Sequence, residues 1–172
     1  MRHQAEHLLG GSASFKSIRG TAEQATLPDH VVDLITVGQA LHWFEGRCAR
    51  REFARILKPC GVLAVLWNQF DGLEQPNIDD YFAAATYDRR SFPVSIRETW
   101  EGFIGGARSA ANAPVRGEPD YDDFEKAHRR VFESQARDGR IEVSYTTELV
   151  VGQLRGSPAE QDAAADADRP RR

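Results

Sequence analysis

The hydrophobic pattern changes character twice between residues 32 and 68. Val32, Leu34, Ile35 and Val37 form a near-continuous apolar run, the pattern of a strand covered on both faces. Apolar positions then recur at helical spacing through "GRCARREFARIL", with Ala49, Phe53, Ile56 and Leu57 on one stripe. Pro59 and Gly61 end that helix, and "VLAVLWN", residues 62–68, is a second apolar run. Strand, helix and strand in close succession predict a βαβ unit with parallel strands and a right-handed crossover.

Other segments give weaker patterns. "MRHQAEHLL" puts Met1, Ala5, Leu8 and Leu9 on one face of a helix that Gly10-Gly11 ends, with no N-cap before it. "SFKSIRG" is a poorly alternating strand candidate, and "TAEQATLPDHV" reads as a loop with Pro28-Asp29 as turn formers. "NIDDYFAAATYDRR" is expected to be helical and "SFPVSI" a short strand. "TWEGFIGG" opens a short helix that leads into a Gly/Pro-rich loop. "DDFEKAHRRVFESQARDG" is a helix with Phe124, His128, Val131 and Phe132 on one side, and "RIEVSYTTELVVGQL" a long strand. The polar stretch 156–172 is expected to be a disordered tail behind a domain at 1–155.

Length and charge narrow the function classes. A chain of 172 residues can build one domain with a real core. A net charge of -4 argues against a nucleic-acid binder that neutralises phosphates. No apolar run approaches the ~18 residues of a membrane span, and no leader-like apolar core opens the chain, so the cytoplasm is the default location. Cys48 and Cys60 match no metal-ligand spacing; reduced thiols are the preferred reading, and no metal site is expected.

The step from strand to "GQALHWF" asks for a chemical reason. Gly38-Gln39-Ala40 is a small-polar-small sequence at a strand's end, followed at once by His42, Trp43 and Phe44. Small residues there let a ligand approach the backbone. Phe44 reads as a core aromatic, and Trp43 fits either the core or a ligand. His42 reads first as a structural histidine, and Glu23 as a helix or turn residue.

The run "GTAEQATLPDHVVDLITVGQALHWF...FARILKPCGVLAVLWN" resembles the class I S-adenosylmethionine-dependent methyltransferases, in particular the group with the type-11 methyltransferase domain. "FEKAHRRVFESQARDGRIEVSYTTELVVGQL" resembles the end of many members. The resemblance implies an α/β fold: part of a Rossmann-like three-layer sandwich, mostly parallel, with an antiparallel C-terminal strand. It implies methyl transfer to a small-molecule acceptor, with S-adenosylmethionine lying across the carboxyl ends of the strands. Thr21, Ala22 and Glu23 would edge the adenine, Gln39 and Ala40 would border the methionine part, and His42 and Trp43 would face the substrate. His42 is a candidate base.

Two departures from the family qualify this picture. Cys60 stands where the family usually has glycine; if that turn needs a positive φ, cysteine there costs about 1 kcal/mol or more. No glycine-rich loop follows a strand, and the acidic residue that holds the ribose is absent. The alternative is therefore a truncated, non-catalytic remnant or an interaction protein, with S-adenosylmethionine binding weak or undetectable. In the family order 3-2-1-4-5-7-6, loss of the first two strands would expose the edge of residues 32–37. Either "SFKSIRG" pairs with that edge, or the edge stays open and favours dimerisation through it.

Overall fold

The structure is a computed structural model; it describes residues 2–70, 75–82, 87–110 and 112–154. The elements are α1 (Arg2–Leu9), β1 (Val32–Gly38), a 3-10 turn (Leu41–Trp43), α2 (Gly46–Ile56), β2 (Leu57–Gln69), β3 (Tyr87–Glu98), α3 (Trp100–Arg108), α4 (Tyr121–Gln135) and β4 (Ile141–Gly152). Four strands form an open sheet in the order β1-β2-β4-β3. β1 and β2 are parallel, with Ile35 opposite Leu63 and Val37 opposite Val65. Arg89 meets Glu148 while Ser95 meets Glu142, so β4 runs against β3. Thr147 meets Asn68 while Tyr145 meets Phe70, so β4 also runs against β2. Three strands thus share one direction and the C-terminal strand opposes them, as expected. The proposed tail, 156–172, lies outside the described residues.

α2 forms where the sequence places it. Glu45 caps it by accepting from the Cys48 amide at 2.7 Å. Its last turn ends at Leu57, whose ψ of 139° is already extended. The final carbonyls find partners outside the helix. The His30 and Val31 amides donate to the Arg55 and Ile56 carbonyls, both at 2.9 Å, and the His30 ring Nδ1–H donates to the Leu57 carbonyl at 2.8 Å. These groups satisfy a helix end that would otherwise be buried unpaired.

The "LKPCG" stretch is a break in register. Val32 lies opposite Leu57, but Leu34 lies opposite Val62, so residues 58–61 bulge out. The demand for glycine falls on Gly61, where a Cβ would come within 2.8 Å of the Leu57 side chain. Cys60 is exposed and is not among the residues with positive φ, so no backbone cost attaches to it. Asp33 anchors the bulge through Lys58 Nζ at 2.8 Å.

The chain divides into two units, Met1–Trp67, Glu74–Arg90 and Glu148–Arg172 in the first, Asn68–Leu73 and Ser91–Thr147 in the second. In the first, Ala49 and Phe53 of α2 pack with Val37, Leu63, Val65, Tyr81 and Phe82. In the second, Trp100 and Phe103 of α3 meet Phe132 of α4 at ring separations of 5.6 and 6.0 Å. Asp138 and Gly139, both at positive φ, make a tight two-residue turn between Arg137 and Arg140, which exchange hydrogen bonds of 2.7 and 3.0 Å.

Three local expectations fail. "SFKSIRG" is not a strand; its weak alternation supplies no face to bury. The helix expected over 77–90 is not observed among the described residues: 79–81 form a turn, and Tyr87–Arg90 begin β3. β1 is covered on one face only: Ile35 and Val37 turn to the α2 side, whereas Leu34 is 52% exposed. The apolar stripe of α1 is likewise bare, with no buried residue.

The edge of β1 stays open among the described residues. The opposite edge, β3, carries Asp88, Arg89, Arg90 and Pro93, which discourage strand addition. β1 has no such guard beyond Asp33. Self-association through β1 is therefore expected in concentrated solution, and Leu34→Lys should reduce it. Sedimentation velocity checks this; equal association of Leu34→Lys and the parent would exclude the β1 edge as its route.

Candidate functional site

The residues singled out from sequence lie on two segments that meet beside α2. Residues 20–29 run along that helix as an irregular loop. The turn at its start is closed by Thr21 and Gln24, whose amides and carbonyls pair at 3.1 and 3.3 Å, and by Thr21 Oγ1, which accepts from the Gln24 amide. Gly20 is required here, since a Cβ would come within 2.9 Å of the Gln24 carbonyl oxygen. Glu23 Oε1 accepts from the Glu45 amide at 3.2 Å. The loop is thereby tied to the start of α2, and Ala22 packs against the core.

The far end of the loop is held by an ion pair. Glu52 Oε1 accepts from the Ala25 amide at 2.7 Å and from Arg55 Nη2 at 2.6 Å. Arg55 also donates to the Leu27 carbonyl at 2.9 Å, to Asp29 at 2.6 Å and to the Ala25 carbonyl at 3.3 Å. One guanidinium so fastens three loop residues to the helix.

The second segment leaves the end of β1. The Gln39 amide continues the ladder to the Leu66 carbonyl at 2.9 Å. Gln39 has a φ of 53°, the left-handed region that a long side chain adopts only when its surroundings hold it there. Nothing lies within 4 Å of a Cβ built on Gly38, so packing does not dictate glycine at that position. Leu41 is the buried anchor of the following turn. Ala40 and Phe44 pack on the same core as Ala22, and Phe44 stands edge-on to Phe53 at 6.1 Å. Phe44 is thus a core aromatic. Trp43 is 65% exposed, and its ring lies 4.9 Å from that of His42.

Electrostatics at the site centre on carboxylates. Glu23 is held below the usual carboxyl range, by its own amide first and the Glu45 amide next. Glu45 is lowered by the Cys48 thiol and amide, and the same contact raises the Cys48 thiol. Below them, burial pushes the Tyr81 phenol up to about 12. The Tyr81 hydroxyl has no hydrogen-bond partner. Among the described residues no group of His, Cys, Asp and Glu could hold a metal ion, and no helix is long and apolar enough to cross a membrane.

Sequence reasoning grouped Thr21, Ala22 and Glu23 with Gln39 and Ala40. Ala22 and Ala40 do share one core, and Glu23 reaches the helix that follows the second segment. It missed Glu52 and Arg55, whose only signal was an i, i+3 pair of opposite charge on a helix. It also missed the strain at Gln39, which no composition reveals.

Comparison with known proteins gives a consistent result. Residues 1–65 match the family described as methyltransferase domain. An uncharacterized methyltransferase of Schizosaccharomyces pombe is 47% identical over 49 residues, 28% of this chain and 20% of that protein. One from Mycobacterium tuberculosis is 44% identical over 55 residues, 32% of this chain and 23% of the other. The matched stretches thus span about a fifth of these relatives. The crystal structure of YcgJ from Bacillus subtilis superposes with a TM-score of 0.54 at 18% identity, covering 91% of this chain and 79% of YcgJ. The observed strand order, β1-β2-β4-β3, corresponds to the 4-5-7-6 part of the order that the sequence resemblance implied.

Glu52 gives the site a pH dependence. Arg55 holds its carboxyl below the ordinary range, so the folded state prefers the charged form. That contribution is complete above the unfolded carboxyl value and is lost as pH falls through the folded one. Glu52→Gln should flatten this acid limb of a thermal-melt series; an unchanged limb would contradict the clamp. Arg55→Ala should speed hydrogen exchange of the Ala25 amide by about tenfold or more.

Proposed function

We propose that this chain, a class I methyltransferase by resemblance in family and fold, takes part in S-adenosylmethionine-dependent methyl transfer to a small-molecule acceptor. The observation that carries the reading is the positive φ of Gln39, directly after β1. Ligands of open α/β sheets bind outside the carboxyl ends of the strands. A glutamine held in the left-handed region there presents its side chain at the place where such a ligand lies. Backbone outliers of this kind point to function when the fold does not otherwise require them.

The residues present suit the group. Gly38 and Ala40 leave room beside the backbone, and Gln39 offers both donor and acceptor to an amino acid moiety. Thr21, Ala22 and Glu23 suit an adenine edge. The cap that Glu23 makes to Glu45 uses one oxygen, and a carboxylate has about four acceptor positions. His42 and Trp43, exposed and with their rings tilted at 46° to each other, suit an acceptor molecule. The cofactor supplies an activated methyl group. This chain's contribution is orientation of the acceptor, with Trp43 offering an apolar surface and His42 a proton acceptor within the same turn.

Gln39→Gly separates strain from binding. Removing the left-handed side chain should relieve about 1 kcal/mol and raise the melting temperature by a few degrees. It should also weaken S-adenosylmethionine binding, already expected to be weaker than micromolar, by at least about fivefold. Calorimetric titration of parent, Gln39→Gly and Glu23→Ala checks the assignment. Equal affinity across the three would overturn it; micromolar affinity in the parent would contradict only the expected weakness of binding.

A further inference from the structure

The second unit carries a cationic cleft that has no part in the reading above. It lies between the 116–117 turn and α4, is open to solvent, has a volume of about 580 Å³, and is lined by Arg116, Tyr121, Glu125, Lys126, Arg129 and Arg130, together with Asp122. That volume falls within the roughly 300–1,000 Å³ of small-molecule sites. Four cations face two carboxylates. Glu125 is engaged by Arg108 at 2.8 Å, a residue outside the lining, and also interacts with Arg116; Asp122 is the other carboxylate. The chain as a whole has a net charge of -4, so the concentration of positive charge here is local.

The cations differ in how they are held. Arg129 lies flat on the Trp100 ring, its guanidinium carbon 3.6 Å from the centroid, which fixes the plane of the fork and leaves its edge free to donate. Lys126 pairs loosely with Asp123 at 3.3 Å. No hydrogen bond or ion pair ties Arg116 or Arg130 to a described residue. Glu125, Arg129 and Glu133 alternate at i+4 along α4, and Arg130 and Arg116 add two further guanidinia to the lining of the same cleft.

We propose that this cleft binds a small, multiply charged oxyanion, carboxylate or phosphate, through the guanidinium forks of Arg129, Arg116 and Arg130. Bidentate recognition by guanidinium is favoured for both groups, and calorimetry of the full chain at low ionic strength with inorganic phosphate and, separately, citrate tells them apart. Saturable binding of either probe is expected. Arg116→Gln with Arg130→Gln, both exposed and tied by no hydrogen bond or ion pair to a described residue, should leave circular dichroism unchanged and weaken binding about tenfold. Arg129→Lys keeps the charge and loses the fork; it should weaken binding severalfold. Absence of saturation with both probes overturns the proposal. So does affinity unaffected by the double variant, or retained in full by Arg129→Lys, which would reduce the cleft to diffuse charge.

Discussion

The parallel pairing of β1 with β2, and the packing of α2 on one face of that pair, is the constraint on which the first unit depends. Parallel strands need a crossover, and α2 is that crossover. Ile35 and Val37 can be buried only because Ala49 and Phe53 lie over them. Truncating Phe53 in such a core typically costs about 3–5 kcal/mol. The helix is also the beam to which the 20–29 loop is fixed, through Glu23 at its start and Glu52 with Arg55 toward its end. Both candidate ligand-facing segments are therefore positioned by a single helix.

That arrangement has a cost on the other side of the strand. Leu34 and the open edge of β1 present apolar side chains and unpaired backbone groups together. The same sheet guards its other edge with charge and proline, so the contrast lies in the residues and not in the topology. The bare stripe of α1 adds to the exposed apolar surface of this unit. These features leave the edge of β1 without the guards that β3 carries.

Much of the fold was legible because it rests on local signals. The apolar runs at 32–37 and 62–68 and the helical stripe between them report the βαβ unit directly; Pro59 and Gly61, expected to end the helix, lie instead within β2, and the helix ends at Ile56. "SFKSIRG" misled because strand propensity without a buried face decides nothing. Tyr87–Arg90 misled because a polar edge strand loses the alternation that identifies strands. Cys60 was read as a conformational anomaly; close approach places the constraint one residue later, at Gly61, which only coordinates reveal. At the site, the small residues Ala22, Gly38 and Ala40 were readable from spacing and resemblance. The clamp from Glu52 and Arg55 to Ala25, Leu27 and Asp29 was not, since it joins residues whose pairing depends on the loop's path.

The central claim is that the 21–23 turn and the 39–43 segment form one ligand-binding surface beside α2. Amide chemical-shift mapping during titration with S-adenosylhomocysteine, the product of methyl transfer, tests it most directly. The account predicts that the amides of Thr21, Ala22, Glu23, Gln39 and Ala40 shift together along a single saturation curve. Shifts confined to other residues, or separate curves for the two segments, would contradict it.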